Sequence, residues 1–121
     1  ELIIEDTVNA ITFNDLVAKH NIKNVDFIQI DAEGYDFEIL KTIPFSNLNV
    51  DFIMFENRHL SDKDYRKALK MLKENGFAVG NMYKDTIAVR KEILPFIIPA
   101  AKKVEKDVVK GRSEIQIQIA G

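Results

Sequence analysis

Apolar and polar positions along the chain switch repeatedly between a strand-like and a helical spacing. Val25 to Ile30 carries apolar residues on both sides, and Val50 to Phe55 is nearly continuous in them. Runs of that kind predict buried strands, and the second predicts a parallel strand covered on both faces. Before the first run, Phe13, Leu16, Val17 and His20 share one face of a short helix ending near Asn21. Thr12 is its N-cap, with Asp15 three residues on. Tyr35 to Ile43 reads as a second helix with Phe37, Ile39, Leu40 and Ile43 mostly inward, stopped by Pro44. Ser61 with Asp64 opens a third helix carrying Tyr65, Leu69, Met71 and Leu72, and Asn75-Gly76 closes it. Phe77 to Tyr83 and Thr86 to Arg90 predict two strands, and the short Lys84-Asp85 connection makes them an antiparallel hairpin.

Leu2 to Glu5 predicts a further short strand, with Thr7 to Ile11 extended after it. The order is then α-β-α-β-α-β-β behind that segment. Alternation with short loops predicts an α/β fold, a parallel sheet with one antiparallel strand at its end. Phe13, Phe27, Phe37, Phe52 and Phe55 fall at positions the periodicity assigns to the core. From Lys91 the character changes. Ile93 to Pro99 is apolar and broken by two prolines, Ala100 to Lys110 has amphipathic helical spacing, and Ile115, Ile117 and Ile119 alternate as a strand would. The chain therefore divides into residues 1–91 and a tail, 92–121, of helix plus strand. That tail reads equally as a lid, an oligomer contact or a strand completing the sheet.

Composition narrows the function classes. The 121 residues are 46% hydrophobic and 30% charged with a net charge of −2, which fits one globular domain or part of one. The first residue is Glu1 rather than Met, as in a processed or excised piece. The basic series Lys63, Arg66, Lys67, Lys70 and Lys73 is interleaved with acids, so it reads as a solvated helix face. Neither a nucleic-acid partner nor a membrane partner is expected. Without cysteine there are no disulfides and no thiolate metal sites, which fits a cytoplasmic protein. No apolar run reaches the roughly 18 residues of a membrane span.

The candidate chemistry lies at the ends of the two strand runs. The first stops in Asp31-Ala32-Glu33-Gly34, and the second in Glu56-Asn57-Arg58-His59. In open α/β sheets ligands bind outside the carboxyl ends of the strands. Asp31 and Glu33 also read as helix-capping acids, a contribution of about 0.3–1 kcal/mol that requires no function. Glu56 also reads as a partner of Arg58. Two acids with the Asn57 amide would form the hard oxygen set that Mg²⁺ favours, from Asp31, Glu56 and Asn57. His59 is the side chain type that exchanges a proton near neutral pH, though a lone loop histidine is more often polar surface. Tyr35 stacks on a ligand or covers the sheet edge.

Several of these segments resemble one family. Thr12-Phe13-Asn14-Asp15-Leu16, the run Ile22 to Gly34, Glu38-Ile39-Leu40, Ile53-Met54-Phe55-Glu56 and Thr86 to Arg90 are similar, in order, to the C-terminal half of FkbM-type methyltransferases. The resemblance runs from about Thr12 to Arg90. It implies a Rossmann-like half-sheet, strands four to seven with the last antiparallel. It implies S-adenosylmethionine-dependent methyl transfer to a hydroxyl of a small molecule, sugar or glycan. With the strand ends so placed, Asp31, Glu33 and Glu56 are the candidate catalytic residues and Asn57, His59 and Tyr35 the candidate substrate-binding ones. The chain has five glycines and no Gly-x-Gly, so the cofactor contacts are expected mostly upstream. The alternative is a non-catalytic binding or assembly domain that keeps the half-sheet, self-associating through its exposed edge.

Overall fold

The computed structural model describes residues 3–99 and 119–120. Residues 3–11 hold no regular element, so the expected N-terminal strand does not form there. Helix α1 (Phe13–Lys19) starts where Thr12 places it: the Thr12 hydroxyl accepts from the Asp15 amide at 3.1 Å. A cap of this type is worth about 1 kcal/mol, enough to fix the start of a two-turn helix whose own hydrogen bonds are few. Strand β1 (Asn24–Ile30) follows, then helix α2 (Asp36–Leu40), strand β2 (Asn49–Glu56) and helix α3 (Asp62–Glu74). The Ser61 hydroxyl caps α3 in the same way, accepting from the Asp64 amide at 3.1 Å. Strands β3 (Phe77–Met82) and β4 (Asp85–Arg90) form the hairpin.

The sheet order is β1-β2-β4-β3, with β5 (Ile119–Ala120) pairing on the outer side of β3. β1 and β2 are parallel, Ile30 lying opposite Phe55. β4 inserts between β2 and β3 and runs antiparallel to both. The last strand before the tail is the antiparallel one, as expected, and it lies inside the sheet rather than at its edge. Arg90 fixes it there: its Nε donates to the Val50 carbonyl at 2.8 Å and its guanidinium lies over the Phe77 ring at 5.6 Å. The core collects Leu40, Ile43, Leu48, Val50, Ile53, Phe55, Ala68, Leu72, Phe77 and Ala88 beneath α2 and α3.

Two further expectations change. α2 is five residues rather than nine. After Leu40 the bonds tighten to the three-residue kind, Thr42 amide to Ile39 carbonyl and Ile43 amide to Leu40 carbonyl. The Thr42 hydroxyl takes the Ile39 carbonyl as well, at 2.7 Å, which ends the helix before Pro44 is reached. Second, β1 is not buried on both sides. It is an edge strand, and Phe27 is 51% exposed, so it stands outside the core that Phe37 and Phe55 join. The tail helix expected over Ala100 to Lys110 lies outside the described residues, as does most of the strand expected from Ile115. Residues 94–99 are already helical despite Pro95, which fits the first turn of a helix, where a missing N–H costs nothing. Among the described residues, no helix is long and apolar enough to cross a membrane.

Candidate functional site

Parallel pairing makes the chain leave β1 and β2 at the same end of the sheet. Beyond Ile30, Ala32 accepts from the Tyr35 amide at 3.0 Å, closing a tight turn. Glu33 and Gly34 both take left-handed backbone there, with φ of 50° and 101°. Beyond Glu56, the Leu60 amide bonds the Asn57 carbonyl at 3.2 Å and folds the next residues back on the strand end. His59 consequently lies between two carboxylates. Its Nε2 is 3.4 Å from Glu33 Oε2 and 3.8 Å from Glu56 Oε2. One ligand-type atom from each of the three falls within 4.8 Å of the others.

Gly34 is required by this arrangement for a second reason besides its φ. A Cβ there would stand 3.2 Å from His59 Cβ and 3.3 Å from the His59 carbonyl oxygen. Gly76, at φ 87°, would place a Cβ in open space. Gly76→Ala should therefore cost about 1 kcal/mol from backbone conformation alone. Gly34→Ala should cost about 2–3 kcal/mol, because the turn must also shift from His59. Urea unfolding of both variants checks this, and equal losses would mean the two turns do not press on each other.

A residue unremarked in the sequence holds the site together. Asp36, in the first turn of α2, is fully buried. Its Oδ2 accepts from the Gly34 amide at 3.1 Å and its Oδ1 from the Glu56 amide at 3.2 Å. One carboxylate thereby ties the β1 turn to the end of β2. The sequence signal was a third acid in Asp31-Ala32-Glu33-Gly34-Tyr35-Asp36, two residues past the glycine.

The other expected residues are placed differently. Asp31 is exposed and outside the three-residue cluster. Asn57 faces the hairpin: its Nδ2 donates to Thr86 Oγ1 at 2.9 Å and to Asn81 Oδ1 at 3.4 Å. Thr86 in turn donates to the Tyr65 hydroxyl at 3.2 Å. The Asn57 amide donates to the Lys84 carbonyl at 2.8 Å, so the hairpin tip closes one side of the site. The oxygen set Asp31, Glu56 and Asn57 is not what converges here. Glu33 and His59 stand with Glu56 instead. Tyr35 is 64% exposed and lines a separate cleft of about 420 Å³ with Ile11, Thr12, Phe13, Leu16 and Glu38.

The arrangement offers two carboxylates and an imidazole to a ligand at the sheet end. Glu56 is the sheltered member, with its side chain 17% exposed against 81% for Glu33. A family model described as the methyltransferase FkbM domain matches residues 1–79. The match takes in α1 through the start of β3 and the whole cluster, and it begins ahead of Thr12 and ends ahead of β4. No curated protein and no solved structure matches the chain.

Proposed function

Because the chain belongs to the FkbM methyltransferase family, we propose that it serves S-adenosylmethionine-dependent methyl transfer to a hydroxyl oxygen, with a sugar or glycan hydroxyl as acceptor. The observation that carries this reading is the convergence of Glu33, Glu56 and His59 at the carboxyl ends of β1 and β2, inside the matched segment. A hydroxyl is a weak nucleophile until its proton is drawn off, and a positioned carboxylate or imidazole does this. Glu56 is the proton acceptor in this proposal. Its sheltered carboxylate is fixed by Asp36 through the backbone of the same residue. His59 and Glu33 hold the hydroxyl, and the exposed Asp31 anchors the rest of the acceptor.

The part these residues take in the reaction is the acceptor side: binding the hydroxyl, orienting it and taking its proton.

Incubation of the protein with methyl-labelled S-adenosylmethionine and a panel of sugars and oligosaccharides tests the proposal. The label should appear in a base-stable ether. Asp31→Asn should raise the acceptor KM more than it lowers kcat, as removal of an anchoring interaction does. Label found only on nitrogen or in a base-labile ester would sink the hydroxyl reading. One observation favours the second reading, a non-catalytic assembly domain: among the described residues β1 is an edge strand with Phe27 half exposed, a surface suited to pairing with another strand. Absence of transfer to every acceptor, from protein that binds the donor, would favour that reading.

A further inference from the structure

We propose that Glu33, Glu56 and His59 form a binding site for a divalent transition-metal ion of the zinc or manganese class. Three ligand-type atoms already converge, Nε2 of His59 standing 3.4 Å from Glu33 Oε2 and 3.8 Å from Glu56 Oε2, all within 4.8 Å of one another. Ligands at ordinary metal distances stand about 3.4 Å apart around a tetrahedral ion. Small side-chain movements close the remaining gap.

A second observation points to a cation independently of the cluster. Glu56 Oε2 is shut off from solvent and has no hydrogen-bond partner. His59 Nε2, at 3.8 Å, is too far for a hydrogen bond. A carboxylate oxygen in that position lacks both water and a donor, which native structures avoid unless something else satisfies it. An ion between the three side chains would satisfy it.

The donor set selects the kind of ion. One imidazole nitrogen with two carboxylates suits zinc, manganese or iron rather than the all-oxygen shells of magnesium and calcium. Glu33 and His59 are both open to solvent, so positions remain for an exchangeable ligand on the outer side. The site shares Glu56 with the proposed function. With an ion in place, the acceptor hydroxyl would bind the ion and be acidified by it, its proton would leave to solvent, and Glu56 would hold the ion rather than take the proton itself.

The test is titration of chelator-stripped protein with MnCl₂, followed by the paramagnetic resonance of free Mn²⁺, and with ZnCl₂ by calorimetry. A single saturable site is expected. Glu33→Gln alters an exposed side chain outside the core, and it should weaken binding by about tenfold or more. Glu56→Gln should do the same, while Asp31→Asn should leave affinity unchanged. No saturable binding, or binding indifferent to both glutamate substitutions, overturns the site. Binding is measured without donor or acceptor, so the two readings fail separately. Protein that methylates a hydroxyl but binds no ion keeps the function and loses the site.

Discussion

Asp36→Ala is expected to lower the free energy of unfolding by about 3 kcal/mol, the loss of two charge-assisted hydrogen bonds to backbone amides. At this chain length that corresponds to a drop in Tm of roughly 10 °C. The size of the effect follows from position rather than from residue type. Glu38 sits in the same first turn of α2, is exposed, and pairs with Lys41 at 2.7 Å. An exposed pair of that kind contributes about 0–1 kcal/mol, so Glu38→Gln should be almost silent. Asp36 is fully buried, and its two oxygens are the acceptors for the Gly34 and Glu56 amides. Removing them strands two part-buried donors and unties β2 from the β1 turn. Asp36→Asn keeps one acceptor oxygen and should fall between. Urea unfolding of the three variants decides it. Asp36→Ala within about 0.5 kcal/mol of wild type would mean that the amides find water instead and that the latch is not structural.

The same residue marks how far the sequence could be read. Both capped helix starts were legible because a cap is a local contract: Thr12 with Asp15 and Ser61 with Asp64 each sit three residues apart and need nothing from the rest of the chain. The β3–β4 hairpin was legible for the same reason. Asp36 drew no reading from the sequence, since its second partner, the Glu56 amide, is twenty residues away. No local pattern announces that pairing.

The sheet shows a similar division. Apolar runs marked the strands, and β1 was expected to be buried with Phe27 in the core, yet Phe27 is half exposed on a strand whose neighbour among the described residues is β2 alone. Side-chain periodicity reports apolar faces and cannot report which strand is an edge. The insertion of β4 between β2 and β3 depends on long-range pairing, with Arg90 reaching Val50 across forty residues. At the site, the two strand ends were legible as its framework. Which side chains meet there was set by two turns. The left-handed Glu33-Gly34 pair and the Asn57 to Leu60 turn bring Glu33 and His59 to Glu56, while Asp31 stays outside and Asn57 is taken by Thr86.

The second large effect concerns that cluster directly. Glu56→Gln keeps the shape of the side chain and its backbone bond to Asp36, and removes the charge. If Glu56 draws the proton from the acceptor hydroxyl, or holds an ion that acidifies that hydroxyl so its proton leaves to solvent, turnover should fall by about 10²- to 10⁴-fold. The acceptor KM should change little, because the carboxylate's hold on the hydroxyl strengthens only as the hydroxyl gives up its proton. Stability should not fall, since Glu56 Oε2 has no hydrogen-bond partner to lose. The most direct measurement is therefore the rate of labelled-methyl transfer to a saturating hydroxyl acceptor by Glu56→Gln and wild-type protein, with unfolding curves taken in parallel. A loss of about 100-fold or more with an unchanged unfolding midpoint is the predicted result. Turnover equal to wild type in a folded Glu56→Gln protein would contradict the assignment of the chemistry to the ends of β1 and β2.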